Sequence, residues 1–222
     1  MALVSGNVCV AMVRRWSSMR RSVPCAAMLR SGRSTPPHNR NRRSELDEAR
    51  IEVTEQGPLP AGEGWFVLNL GEMPWETVPG FGVWRDFNWD QKPGEPNIGV
   101  HIHVLQPGEN FGYYHAEAAQ EGFIVLSGEC LAIVEGKERR MRQWDYLHSP
   151  PGTAHVLVGG GVRPCALVMF GSPDPRRKVE WIADETAAKH GASVKRTTGR
   201  DTDAYGDLPA PVPTPPPAPF GR

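Results

Sequence analysis

The chain reads as an all-β protein, an antiparallel sandwich or barrel. Short runs rich in β-branched and aromatic residues carry this reading: Trp65–Leu70, Gly99–Leu105, Phe123–Leu126, Leu131–Val134, His155–Val158 and Cys165–Phe170. Turn residues separate them, at Pro107-Gly108, Ser127-Gly128, Glu135-Gly136, Pro150-Pro151-Gly152 and Gly159-Gly160-Gly161. Short strands at that spacing fold as stacked antiparallel sheets. No strand–helix alternation runs along the chain, so a parallel α/β sheet is not expected.

Taken in order, the 222 residues divide into a leader, a barrel and a C-terminal extension with a tail. Residues 1–43 hold nine Arg, no Lys and no acidic residue, a charge of +9. The remainder has 16 basic and 25 acidic residues, a charge of −9, which hides behind a formal net charge of zero. The leader has no sustained periodicity and reads as a disordered basic segment, outside or upstream of the folded protein. An Arg- and Ser-rich, acid-poor composition also fits a transit peptide. A secretory signal fits least, because its Arg cluster follows the short apolar stretch. Residues 44–173 are expected to form the barrel with an N-terminal strand extension.

Residues 174–206 form an extension with one short helix. Asp184 is its N-cap, Glu185 sits in its first turn, Ala187 and Ala188 favour helix, and Gly191 ends it. Residues 207–222, DLPAPVPTPPPAPFGR, are expected to be an extended, mobile proline-rich tail. Both ends are therefore expected to be dispensable for folding: a chain from Ser44 to Gly206 should melt with the full chain.

Composition excludes several classes of protein. An acidic body lacks the clustered Lys and Arg of a nucleic-acid surface. No apolar run approaches the ~18 residues of a membrane span. Cys9, Cys25, Cys130 and Cys165 form no C-x-x-C pair. They read as small apolar side chains more than as a disulfide or zinc framework, which points to a reducing compartment, the cytoplasm. Nucleophile elbows, phosphate loops and dinucleotide-binding glycine patterns do not occur.

Two segments carry the chemistry. Tyr114 to Gly128 reads YHAEAAQEGFIVLSG, and Asp145 to His155 reads DYLHSPPGTAH. The first places His115, Glu117 and Glu121 just before an apolar run, and the second places His155 just after a Pro-x-Gly turn. Alternate residues of a strand share a face. Glu121, Phe123 and Val125 should thus point one way, and His115 and Glu117 should share a face. Two imidazoles and two carboxylates meeting at one point form a divalent-metal site, or the relic of one.

The same residues resemble the two motifs of the cupin superfamily, roughly G-x5-H-x-H-x3-4-E-x6-G and G-x5-P-x-G-x2-H-x3-N. Gly108, His115, Glu117, Glu121 and Gly128 follow the first, with one extra residue after Gly108 and Glu117 in place of the second His. Pro150, Gly152 and His155 follow the second, with Trp144 and Gly159 in place of its first Gly and its Asn. The likeness runs from about Glu48 to Tyr205. It is similar to a group of small bacterial cupin-domain proteins of undefined activity.

That resemblance implies a cupin jelly roll whose barrel takes a small ligand, with His115, Glu117, Glu121 and His155 as metal ligands. A set of two His and two Glu is harder than the family's usual three His and one Glu. It favours Mn(II), Fe(II) or Zn(II) over Cu(I). Gln120 is a reserve ligand if the turn is shifted by one residue.

The function expected is a metal-dependent small-molecule enzyme, an oxygenase or an isomerase. Its rival is a non-catalytic small-ligand binding or sensing module without metal. His101 and His103 read as a partly exposed strand face, near enough to the barrel mouth to serve as substrate contacts. His148 reads as a pocket or strand residue. Trp65, Trp75, Trp84, Trp89 and Trp144 are expected mostly in the core or at an interface. Sheet edges left open by a jelly roll, and the Trp-rich segment before it, point to a homodimer.

Overall fold

The computed structural model describes residues 47–54, 57–61, 64–87, 98–171 and 179–221. They fall into two compact units, one ending at Met73 and one beginning at Pro74. The first holds an antiparallel hairpin of β1 (Arg50–Thr54) and β2 (Gly57–Ala61). Trp65–Leu70, expected as a strand, makes only a one-residue bridge from Trp65 to Glu48, followed by a 3-10 turn over Leu70–Glu72. Trp65, Phe66 and Val67 are exposed there. Among the described residues of the unit their β propensity has no partner strand to act on, and propensity alone does not make a ladder.

The second unit is a sandwich of two antiparallel sheets. The larger sheet has the order β10-β7-β12-β5-β4-β3-β14. Its strands are β3 (Trp75–Thr77), β4 (Val83–Asp86), β5 (Gly99–Leu105), β7 (Glu121–Ser127), β10 (Tyr146–Ser149), β12 (Cys165–Gly171) and β14 (Val212–Thr214). The smaller has the order β13-β6-β11-β8-β9. Its strands are β6 (His115–Glu117), β8 (Glu129–Val134), β9 (Lys137–Arg142), β11 (His155–Gly159) and β13 (Val179–Trp181). Remote strands pair and sequence neighbours often lie in opposite sheets, which is the jelly-roll arrangement.

The core fills the space between the sheets. Phe123, Val125, Leu105, Leu157 and Leu167 are fully buried there, while Ile124 and Leu126 lie on the other face of β7 and are half-buried. The alternation anticipated for β7 therefore holds. β9 escaped the sequence reading because KERRMR buries only Met141 and is otherwise an exposed, charged edge strand. Charged edges of this kind discourage pairing with other chains. Cys130 and Cys165 are buried free thiols, as expected; Cys9 and Cys25 lie outside the described residues. Trp75 and Trp84 are core residues, as is Trp181; Trp144 is exposed, and Trp89 lies outside the described residues.

Tight turns link the strands. At the β8–β9 hairpin both turn residues have positive φ, Glu135 at 48° and Gly136 at 69°, which suits the twist of the ladder. At Gly128, with φ 73°, an added Cβ would lie 2.3 Å from the carbonyl oxygen of Pro164, so only glycine fits.

The C-terminal extension packs onto the barrel. Helix α1 (Glu185–Ala188) begins where expected, with the Asp184 carboxylate accepting from Ala187 N at 2.7 Å, and ends near Gly191 at φ 67°. A second short helix, α2 (Asp201–Tyr205), was not anticipated. It delivers Tyr205 into the core, where its hydroxyl accepts from Tyr113 N at 3.0 Å and Trp181 Nε1 at 3.2 Å, and its ring stacks on Tyr113.

The proline-rich tail is extended, as read, but it is not loose. Val212, Pro213 and Thr214 pair with Thr77, Glu76 and Trp75, and the Phe220 ring stacks on Trp75 with centroids 5.1 Å apart. Proline is tolerated on an outermost strand, where one face of the ladder is unused. Extended, proline-fixed backbone loses less entropy on pairing, so the composition that suggested a mobile tail also suits an edge strand.

Two outcomes follow. Removal of residues 207–222 uncovers Trp75 and should lower the melting temperature by more than about 5 °C; an unchanged melting curve would return the tail to a mere appendage. Tyr205→Phe leaves two N–H donors without their acceptor and should cost about 1–3 kcal/mol in denaturant titrations.

Candidate metal and ligand site

The motif residues meet because the chain changes sheets between Glu117 and Glu121. β6 ends at Glu117 in the smaller sheet, and β7 begins at Glu121 in the larger one. His155 on β11 lies directly opposite His115 on β6 in the ladder. That register sets the two imidazole centroids 4.9 Å apart. The turn before His155 is tied to the same corner, with Gly152 N donating to the Glu117 carbonyl at 2.6 Å. Gly152 has φ 81°, a conformation that glycine adopts without strain.

His115, Glu121 and His155 each present a ligand atom, and these atoms all lie within 4.8 Å of one another. His155 Nε2 is 3.2 Å from Glu121 Oε2. Glu117 stands beside this triad, its Oε1 3.8 Å from His115 Nε2. All four residues are buried. Gln120, the reserve ligand, is exposed in the corner and stands outside the cluster.

Both histidines are oriented from behind. His115 Nδ1 is 2.7 Å from the Tyr113 carbonyl oxygen, and His155 Nδ1 is 3.0 Å from that of Thr153 and 3.2 Å from Ser149 Oγ. A carbonyl only accepts, so Nδ1 carries the proton and Nε2 keeps its lone pair for the interior. Histidines that ligate metals are commonly held in this way. His155 Nε2 is buried and lacks a hydrogen bond of good geometry, although the Glu121 carboxylate is close. An atom that lies near a carboxylate but off its hydrogen-bonding line fits two donors aimed at a common third point. The His115, Glu121 and His155 donors are of the kind a hard or borderline divalent ion takes, with Glu117 beside them and outside the triad.

Apolar rings enclose the cluster. The Phe111 centroid is 5.9 Å from His115 and 6.3 Å from His155, and Phe123 is 5.1 Å from His155. Burial, and then the neighbouring His155, lower His115 to about 4 against the pull of Glu121 and the Tyr113 carbonyl. Burial also works to lower His155, but the Glu121 carboxylate, the Thr153 carbonyl and Glu117 outweigh it, and the group is raised.

The β5 histidines depart from expectation. His101 and His103 are buried, not partly exposed. β5 is the middle strand of the larger sheet, and its odd-numbered residues face the interior. Alternating His with Val and Ile in GVHIHVL gave the period but not which set pointed inward. His148 is an outward strand residue, exposed beside Tyr146.

Residues 101–171, which include all four candidate ligands, match the family model described as "Cupin domain". That stretch of the barrel is a cupin domain by this match. No curated protein matches the chain in sequence. Similar solved structures include a protein from Acidithiobacillus ferrooxidans, at 22% identity over 46% of this chain and 65% of that one, with a TM-score of 0.40. A sugar phosphate isomerase of the cupin superfamily from Silicibacter pomeroyi is 20% identical over 44% of this chain and 62% of its own, with a TM-score of 0.39. A cupin-like protein from Thermotoga maritima is 19% identical over 55% of this chain and 90% of its own, with a TM-score of 0.43. The match thus spans less than two thirds of the first two structures. Among the described residues no helix is long and apolar enough to cross a membrane.

In the metal-free protein His115 should titrate near pH 4 by NMR, well below an ordinary histidine. The unfolded chain takes up this proton near pH ~6.5 and the fold does not. This group therefore removes stability as pH falls from about 6.5 to 4. A His115 midpoint at the ordinary value would show that water reaches the ring.

Proposed function

We propose that the barrel binds a divalent transition metal, Mn(II), Fe(II) or Zn(II), on His115, Glu117, Glu121 and His155, and acts on a small molecule beside it. The observation that carries this reading is the pair of buried histidines pinned by backbone carbonyls at Nδ1, with their Nε2 atoms beside Glu117 and Glu121. Bound there, the ion would supply a Lewis acid for an oxygen of the small molecule. Glu117 and Glu121 would balance its charge, and the aromatic surround would keep bulk water away. Chemistry of the isomerase or oxygenase kind fits such a centre. The protein is further proposed to pair as a homodimer; sedimentation equilibrium giving a single-chain mass at tens of micromolar would end that proposal.

Elemental analysis of protein purified without a His tag should find close to one transition-metal ion per chain. His115→Ala, Glu121→Gln and His155→Ala should each weaken metal binding by a factor of about 10–100 or more, measured by competition with a chelator. His101→Ala should leave it unchanged. Equal loss at His101, or retention of metal by all three site variants, would overturn the assignment.

A further inference from the structure

The inner face of the β4–β5 pair carries a second polar group that the metal site does not use. Trp84 pairs with His103, and Asp86 pairs with His101. All four stand on the same face as Phe123 and Glu121, through the registers Met169–His101, Met169–Phe123 and Gly171–Glu121. His101 and His103 are buried, and His101 Nε2 is 3.8 Å from Asp86 Oδ1. The His103 ring is clamped, stacked on Trp84 at 6.2 Å and met edge-on by Phe111 at 6.0 Å.

His103 Nδ1 is fully buried and lacks a hydrogen-bond partner. Such an atom costs stability in the free protein unless something else satisfies it, so its retention calls for an explanation. Burial, and then the neighbouring His101, hold His103 well below the usual range, so its ring is neutral. A neutral imidazole has one donor and one acceptor.

One row of the wall between this group and Glu121 lacks side chains, beside the row that holds Met169. The row that begins at Glu121 continues through Gly171 and Gly99, neither of which has a side chain. A Cβ on Gly171 would lie 3.4 Å from Glu121 Cγ, in the space beside that carboxylate. Two residues along β5 from Gly99, about 7 Å away, stands His101, with Asp86 opposite it on β4. Phe111 borders both ends, in ring contact with His103 on one side and with His115 and His155 on the other.

We propose that Asp86, His101 and His103 form the recognition wall for an uncharged, hydroxyl-bearing small molecule that lies over Gly99 and Gly171 with its other end at the His115–Glu121–His155 cluster. The coordinated end of this placement rests on the metal-site reading; the recognition wall does not. A hydroxyl both donates and accepts, so it satisfies a neutral imidazole and a carboxylate alike. A phosphate or carboxylate group at this wall would face Asp86, with Glu117 and Glu121 beyond it. No Lys or Arg is among the described buried residues to offset that repulsion.

The test uses the full chain, with and without Mn(II), and four neutral probes: dihydroxyacetone, glyceraldehyde, D-xylose and xylitol. Dihydroxyacetone phosphate and glycerate are the charged counterparts. Thermal shift and calorimetry read binding; chelator competition reads Mn(II). At least one neutral probe should bind the wild type, and His103→Phe should weaken it about tenfold, the value of one good hydrogen bond. That variant keeps an aromatic ring against Trp84 and should melt no lower than wild type, with Mn(II) affinity unchanged. Asp86→Asn provides the second variant if His103→Phe does not fold, with weakened binding expected there too. The proposal is overturned if no neutral probe binds, if only the charged ones do, or if both variants bind like wild type. Failure of Mn(II) to bind would sink the metal reading alone, since neutral-probe binding to metal-free protein would still report on the wall.

Discussion

Everything at the candidate site depends on one constraint: three residues, Ala118 to Gln120, carry the chain from one sheet to the other. A longer loop would let the β6 and β7 ends drift apart, and a hairpin would keep them in a single sheet. The short corner does neither. It sets Glu121 on the larger sheet against His115 and Glu117 on the smaller one. The direct register of His155 opposite His115 then closes the cluster from a second strand of the smaller sheet. Ladder geometry thus positions the side chains, and ladders are stiffer than loops.

The site is costly to the fold. Four ionisable residues are buried in a space bordered by Phe111 and Phe123, where polar groups without partners destabilise. Backbone carbonyls offset part of that cost at the Nδ1 atoms of His115 and His155. His103 Nδ1 has no such relief.

The C-terminal segment supplies compensation. Tyr205 satisfies two N–H donors while filling the gap beside Tyr113, Phe81 and Trp181. Phe220 and β14 cover Trp75 and the outer edge of β3. These residues lie far along the chain from the barrel motifs, yet they finish its packing. Edge coverage of this kind also removes an open ladder that another chain could join.

The sequence by itself determined the class of fold, the turn positions and the period of the strands, because those follow from local sterics and alternation. Gly128 and Gly136, the Asp184 cap and the inward set Glu121, Phe123 and Val125 were legible for that reason. The candidates His115, Glu117, Glu121 and His155 were legible through their spacing and the family motif. Tertiary structure alone decided three things. It buried His101 and His103, since a strand with apolar residues on both faces does not say which one is inside. It left Trp65–Leu70 without a ladder, since a strand needs a partner that propensity cannot provide. It made an edge strand of a proline-rich tail, since extended backbone pairs only where a neighbouring edge is open, and that edge belongs to β3, about 135 residues earlier in the chain.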